Sequence, residues 1–83
     1  MSDAIEKTPN IGEVLGGRLR QVGIQTRAEL DAVGDEIAFS RLVARYPEDA
    51  CTHTRLALAG AVRGVRWHAL PAELRAELAR GLK

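Results

Sequence analysis

Residues 56 to 62 form a run of seven consecutive apolar residues in a sequence that otherwise mixes apolar and charged side chains. Such a run is typical of a buried strand or a buried helix. Four of the seven residues are Ala or Gly, which are poor strand residues, whereas Ala and Leu are strong helix formers. We therefore predict a central, buried helix at about residues 53–63, capped by Thr52 or Thr54.

The remaining apolar spacing predicts about five short helices in all, and hence an all-α bundle. The helix at 13–22 carries apolar residues at 11, 15, 19 and 22, and the helix at 35–46 ends before Pro47. Pro71 fits the first position of a last helix that is lined by Leu74, Leu78 and Leu82. Residues 1–8 are expected to form an N-terminal arm, and residues 9–83 a single helical domain.

The second helix has a local start signal. Thr26 and Glu29 have the Thr-x-x-Glu spacing of a capping box, in which each side chain satisfies a backbone N–H at the helix start. Gly34 closes this helix after about two turns. Thr26 and Glu29 are therefore assigned structural roles, and so is Pro71.

Composition excludes several classes of protein. Twelve basic residues are balanced by eleven acidic ones, so the chain is not a strongly cationic nucleic-acid wrapper. The sequence contains no run of 18 apolar residues and no hydrophobic signal core, so we expect no membrane association. Its single cysteine fits a reducing, cytoplasmic location.

Two sequence patterns point to a known family. The first is Pro9-Asn10-Ile11-Gly12 followed by Gly16, Leu19 and Val22-Gly23-Ile24, and the second is Leu58-Ala59-Gly60-Ala61-Val62-Arg63-Gly64 followed by Trp67 and Leu70-Pro71. Together they resemble the C-terminal domain of TfoX/Sxy-type competence regulators. The resemblance covers about residues 9–82, and its second pattern is the more specific of the two.

The resemblance implies an all-helical domain with a helix-hairpin-helix-like N-terminal part. In TfoX-type proteins this domain accompanies a separate N-terminal domain and a role in inducing DNA-uptake genes. That N-terminal domain is not found in this sequence, so we expect a stand-alone copy that acts as an adaptor or regulator. A helix-hairpin-helix motif would also place a phosphate at the Ile11-Gly12 loop, with Gly16 allowing two helices to cross closely.

Two groups of residues are candidate binding sites. The exposed amides of a helix start can receive a phosphate, although Glu13 would repel one, so a purely structural turn is the competing interpretation. The candidate phosphate or DNA contacts are Asn10, Ile11, Gly12, Arg18 and Arg20. Arg55, Arg63 and Arg66 lie in a segment without acidic residues and could bind phosphates or a partner's carboxylates. Alternatively, they are solvated or paired with Asp31, Asp35, Glu36 or Glu73.

The chain contains few cysteine or histidine residues that could act as a nucleophile, a general base or a metal ligand. Cys51, His53 and His68 are the only residues that resemble a nucleophile–base or metal set, and their spacing matches neither a zinc site nor a known triad. We therefore predict no catalytic residue, no metal and no cofactor. Trp67 is interpreted as a core residue whose indole N–H bonds a backbone carbonyl, and Gly60 as a structural glycine.

The sequence thus predicts a non-catalytic regulatory or adaptor domain that docks to another protein. The expected partner is a transcription regulator or a separate chain that resembles the missing N-terminal domain. The alternative is a weak, mostly sequence-independent DNA-binding module, and a homodimer is a third option because the core is thin.

Overall fold

The predicted all-α fold is confirmed by the computed structural model, which describes residues 3–82. Within this range the chain forms five α-helices and three short 3₁₀ turns, at Ile5–Lys7, Pro47–Asp49 and Trp67–Ala69. The α-helices are α1 (Glu13–Gln21), α2 (Arg27–Val33), α3 (Asp35–Arg45), α4 (Thr52–Arg63) and α5 (Ala72–Ala79).

Helix α4 contains the apolar run and lies at the centre of the molecule, as predicted. Leu58 and Ala61 belong to the main core, which α1, α2, α3 and the N-terminal segment also line. Leu56 and Ala59 face a second, smaller cluster that is closed by Leu70 and the α5 side chains. The helix is therefore buried on both sides, which explains why its sequence is apolar in every direction.

The N-terminal segment is packed into the domain. Ile5 is fully buried in the main core. Its N–H donates to the Gln25 carbonyl oxygen (3.1 Å), and the N–H of Arg27 donates to the Asp3 carbonyl oxygen (3.0 Å). These bonds form an isolated antiparallel bridge between Ala4 and Thr26. The described part of the expected arm, residues 3–8, thus shares its core with the rest of the chain, and residues 1–2 lie outside the described range.

The ends of α2 follow local signals, whereas α4 begins after Cys51 and without the predicted side-chain cap from Thr52 or Thr54. The Thr26 side chain accepts a hydrogen bond from the Glu29 N–H (3.1 Å), and the Glu29 carboxylate accepts one from the Gln25 N–H (3.0 Å), which is the geometry of a capping box. Gly34, at a φ of 86°, ends α2 and leads directly into α3. Its left-handed conformation allows two helices to meet at a single residue.

The last helix differs from the prediction at both ends. Pro71 lies one residue before its first residue, in an extended conformation (φ −54°, ψ 141°), and not at its first position. At the other end Arg80 follows the last helical residue and Gly81 has a φ of 82°, so Leu82 does not extend the line of Leu74 and Leu78 along the helix.

Across residues 3–82, no helix has both the length and the apolar character needed to span a membrane.

Candidate functional site

Asn10 connects the loop before α1 to the loop after α4. Its side-chain amide donates to the carbonyl oxygens of Val65 (2.9 Å) and Ala57 (3.4 Å), and its Oδ1 accepts the backbone N–H of Trp67 (3.0 Å). The backbone of Asn10 has a φ of 71°, a left-handed conformation that Asn adopts more readily than most residues. Asn10, which was expected to contact phosphate, therefore joins two loops of the fold by hydrogen bonds.

Gly60 makes the contact with Asn10 sterically feasible. A Cβ at Gly60 would lie 2.6 Å from Nδ2 of Asn10, 2.7 Å from the Val65 carbonyl oxygen and 3.2 Å from Cα of Trp67. Two of these three atoms belong to the backbone and cannot rotate away. The two sequence patterns that carry the family resemblance thus meet at one point, with Asn10 on one side and Gly60 and Trp67 on the other.

Two surface cavities adjoin at this point. The first, which we call the cationic cavity, has a volume of about 690 Å³ and is lined by residues that include Lys7, Thr8, Asn10, His53, Arg66 and Trp67. The second, the apolar cavity, has a volume of about 470 Å³ and includes Gly12, Glu13, Val14, Leu15 and Thr54 in its lining. Both cavities share Asn10, Gly12 and His53, so they form one continuous concave surface across the start of α1.

Glu6 is an acidic residue at the wall of the cationic cavity, and its charge is offset by Arg20. The two side chains form a bidentate pair, with Nε to Oε2 at 2.8 Å and Nη2 to Oε1 at 2.7 Å. These hydrogen bonds from Arg20, followed by that of the Glu6 backbone N–H, lower the pKa of Glu6 to about 2. Gly16 makes room for this pair, because a Cβ at Gly16 would lie 2.7 Å from Cγ of Glu6.

Arg18 likewise forms an ion pair within the chain. Its Nη1 donates to Oδ1 of Asp49 (2.7 Å), which raises the pKa of Arg18, and lies 3.7 Å from Oε1 of Glu48. The guanidinium also lies 4.9 Å from the centre of the Tyr46 ring, within cation–π distance. Arg18 therefore holds α1 against the turn that follows α3.

Most of the hairpin candidates make contacts within the fold. The Ile11 N–H donates to the Thr8 carbonyl oxygen (3.1 Å), and the Ile11 side chain is buried. Asn10, Arg18 and Arg20 are engaged as described above. Gly12 alone among these candidates remains open, because it is the exposed N-cap residue of α1.

The three arginines of the 55–66 segment take different environments. Nη1 of Arg55 binds Oδ2 of Asp35 (2.5 Å), and Nη1 of Arg63 lies 3.8 Å from Oδ1 of the same carboxylate. Asp35 was among the partners expected if these arginines were paired. Gly64 ends α4 in a left-handed conformation, so Arg66 lies beyond the helix, at the wall of the cationic cavity.

Trp67 is only partly buried and packs against the smaller apolar cluster. Its ring makes edge contacts with His53 (5.8 Å between ring centres) and His68 (5.7 Å). Within residues 3–82, its hydrogen bond to the fold is made by its backbone N–H and not by the indole, contrary to the expected core arrangement. The third residue of the nucleophile–base set, Cys51, has its sulfur 3.3 Å from Oγ1 of Thr54. The described residues contain no cluster of three side chains that could hold a metal.

Some residues of this surface were not identified from sequence. Val14 is 72% exposed, although it is apolar and lies on a helix. Its position out of phase with the apolar residues 11, 15, 19 and 22, which are buried or partly buried, was the available signal. No comparable local signal marks Lys7 or Thr8, because their place in the cavity depends on contacts with distant residues.

Comparison with known proteins gives an independent result. The family model described as the TfoX C-terminal domain matches residues 1–82. The chain belongs to the TfoX C-terminal domain family. This membership supports a regulatory domain related to competence, in a family not known for enzymatic activity.

Solved structures similar to this TfoX C-terminal domain come from Listeria monocytogenes. One, an uncharacterised protein in a triclinic crystal form, is 40% identical, with a TM-score of 0.84 over 90% of this chain and 84% of that chain. Another, a protein of unknown function in a tetragonal form, is 39% identical, with a TM-score of 0.84 over 92% of this chain and 93% of that chain. No curated protein matches the chain.

Proposed function

We propose that this chain is a non-catalytic regulatory adaptor that acts by docking to another protein. The observation that carries the proposal is that most of the candidate arginines form ion pairs within the chain. Arg18, Arg20, Arg55 and Arg63 each have a carboxylate of the same chain within 4 Å, so four of the five arginines that the sequence suggested for phosphate contact lie beside an acidic side chain. The partner is a transcription regulator or a separate chain that resembles the N-terminal domain of TfoX proteins.

Val14 gives the docking surface an apolar anchor. It lies in the lining of the apolar cavity, next to the partly buried Leu15. Burial of a side chain of this size against a partner stabilises a complex by about 1 kcal/mol or more. An exposed apolar residue beside a concave surface is a common arrangement in protein interfaces.

The test compares two aspartate substitutions at exposed apolar positions. V14D is expected to weaken retention of a partner from cell extract at least about tenfold, because it places a charge in the docking surface. I37D is the matched control, since Ile37 is also exposed (52%) but lies on α3, outside both cavities. Equal retention by V14D and I37D, or equal loss, contradicts this docking surface.

A weak DNA-binding function is the alternative, and one observation favours it. Lys7 and Arg66 line a cavity at the start of α1 and have no carboxylate partner within the described residues. Two phosphate contacts would make log K fall with log salt at a slope of about −1.8. A duplex titration that shows no binding at low salt removes this alternative, whereas tight binding with a steeper slope contradicts the adaptor proposal.

Self-association is a separate form of docking, in which the partner is a second copy. Sedimentation at high concentration distinguishes it, since V14D should then convert a dimer into a 9.0 kDa monomer. A monomer at all concentrations excludes the second copy as the partner.

A further inference from the structure

We propose that the concave surface at the start of α1 binds a peptide segment of the partner that has acidic residues at one end and an apolar residue at the other. This inference rests on the proposed docking function and specifies the chemistry of what is docked. It follows from the different character of the two adjoining cavities.

The cationic cavity carries an excess of positive charge that the fold leaves uncompensated. Lys7 and Arg66 line it without an ion-pair partner in the described part of the chain. A Cβ at Gly64, in the wall of the cavity, would lie 3.0 Å from Nη2 of Arg27, so a third cationic group lies next to this glycine. The acidic residue there, Glu6, is already bound to Arg20.

Polar groups in the same cavity fit an entering carboxylate. Thr8 is 3% exposed, lines the cavity, and its hydroxyl oxygen is buried without a hydrogen-bond partner among the described residues. The cavity also opens at Gly12, where α1 presents N–H groups that have no partner within the helix. The helix N–H groups are independent of the lysine and arginine side chains and favour the same kind of ligand.

The apolar cavity fixes the direction of the peptide. Val14 and Leu15 supply apolar surface. Glu13, which has no ion-pair partner within the described range, places a carboxylate at that end, where Asp49 is already bound to Arg18. An acidic residue would be repelled there and attracted at the Lys7 and Arg66 end, so the two ends of the surface select opposite ends of the segment. The volume of the cationic cavity, about 690 Å³, lies in the range of pockets that hold drug-sized ligands.

A peptide fits this surface better than a nucleic acid. Of the two cavities, only the cationic one has cations without an ion-pair partner among the described residues, and the adjoining cavity offers aliphatic side chains, the Glu13 carboxylate and the Arg18–Asp49 ion pair. Nucleic-acid grooves combine cations that follow the phosphate backbone with aromatic platforms for the bases. Trp67 has its ring flanked by His53 and His68 in edge contact, so it is not a free stacking platform of that kind.

The test uses the fluorescence of Trp67, which is the only tryptophan in the chain. The probe is a peptide of about six residues, about 20 Å when extended, with a run of aspartates at one end and leucines at the other. Titration is expected to change the Trp67 emission with a saturable midpoint. The same peptide with asparagines in place of the aspartates should bind at least about tenfold more weakly.

Charge-reversal variants locate the binding. K7E/R66E should weaken the aspartate peptide at least about tenfold, whereas R41E/R80E, which makes the same change in net charge at exposed positions outside both cavities, should weaken it less than about threefold. Circular dichroism confirms that both variants fold. Equal weakening by the two variants, equal binding of the two peptides, or tighter binding of a single-stranded oligonucleotide overturns the proposal.

The peptide titration and the partner-retention experiment can fail independently. If V14D but not I37D loses the partner while the aspartate peptide does not bind, the chain is an adaptor whose ligand has different chemistry. If the peptide binds at the cavity but neither substitution affects partner retention, the docking surface at Val14 is wrong.

Discussion

At the scale of single residues, the contact between the N-terminal loop and the segment after α4 depends on Gly60 having no side chain. Asn10 reaches the Val65 carbonyl and the Trp67 N–H across the surface of α4 at the position where a Cβ would lie. Glycine is unfavourable inside a helix by about 1 kcal/mol relative to alanine. Its presence in α4 therefore has a steric reason that outweighs helix propensity.

Gly60→Ala is expected to destabilise the domain by about 1–3 kcal/mol, because the added methyl group overlaps backbone atoms that cannot move aside. The matched control is Gly17→Ala in α1, where nothing lies within 4 Å of the added carbon. That substitution should stabilise by about 0.5–1 kcal/mol through helix propensity. Urea denaturation followed by circular dichroism measures both, and a stabilising Gly60→Ala would contradict the described contact.

The Glu6–Arg20 pair gives a residue-level prediction about pH. Folding lowers the pKa of Glu6 from 4.5 to about 2. The Glu6–Arg20 pair therefore contributes stability above about pH 4.5, and this contribution is lost as the pH falls toward 2. Glu6→Gln should therefore lower the urea midpoint at neutral pH, and the difference from the wild type should shrink at low pH.

The control for this measurement is Glu77→Gln, which removes an exposed carboxylate that forms no ion pair in the described residues. It gives the effect of the charge change alone. A Glu6→Gln difference that stays constant from neutral pH to about pH 2.5 would show that the pair does not have the assigned role.

At the level of helices, a mostly buried ion pair between Asp35 and Arg55 links α3 to α4. The Arg55 and Asp35 side chains are 12% and 18% exposed, and the Arg55 guanidinium lies 5.7 Å from the centre of the Phe39 ring. Asp35 also stands in the first turn of α3, where a negative charge is favourable. One carboxylate thus serves both the start of a helix and its packing.

Asp35→Asn is expected to destabilise the domain by about 2 kcal/mol or more, since it leaves the Arg55 charge largely buried without a counter-ion. Glu36→Gln is the control, because Glu36 occupies the same helical turn but is exposed. It should cost no more than about 0.5 kcal/mol from the helix dipole alone. Thermal unfolding measures the two, and equal effects would mean that the ion pair contributes nothing beyond the dipole.

The helices could be predicted from sequence because their signals are local. The capping residues at Thr26 and Glu29 and the apolar run at 56–62 act within a few residues, and each marked an element that the structure contains. The pairing of charges could not be predicted in this way. Arg20 and Glu6 are 14 residues apart, and Arg18 and Asp49 are 31 apart, so their contact depends on how the helices pack.

The same limit applies to the candidate site. The family patterns include Asn10, Gly60 and Trp67, but the contacts that connect them exist only after the chain has folded. Arg18, Arg20 and Arg55 looked available for phosphate in the sequence, because spacing does not reveal which carboxylates will lie beside them. The cavities are likewise products of tertiary packing.

At the scale of the whole molecule, the N-terminal segment is part of the core. The Cα radius of gyration is 11.6 Å, close to the value of about 12 Å expected for a compact domain of this length. A chain this small has a thin core, so each fully buried side chain is a large share of it. Ile5 is one of six large, fully buried side chains in the described range.

Ile5→Ala should destabilise the domain by about 2–5 kcal/mol, because it leaves a cavity between the N-terminal segment and the main core. The same substitution at the exposed Ile37 is the control and should cost less than about 1 kcal/mol. Denaturant unfolding compares them. Similar small effects would show that residues 3–8 are not part of the cooperative unit.

The Asn10 hydrogen bonds also determine at what stage of folding the concave surface at the start of α1 forms. They join positions 47 to 57 residues apart, and contacts of such long range form only after most of the chain has been organised. Both cavities have Asn10 in their walls, so neither exists in the unfolded chain. A ligand held there binds the native state alone and therefore protects the domain from proteolysis. Docking at this surface would thus be limited to molecules that have finished folding.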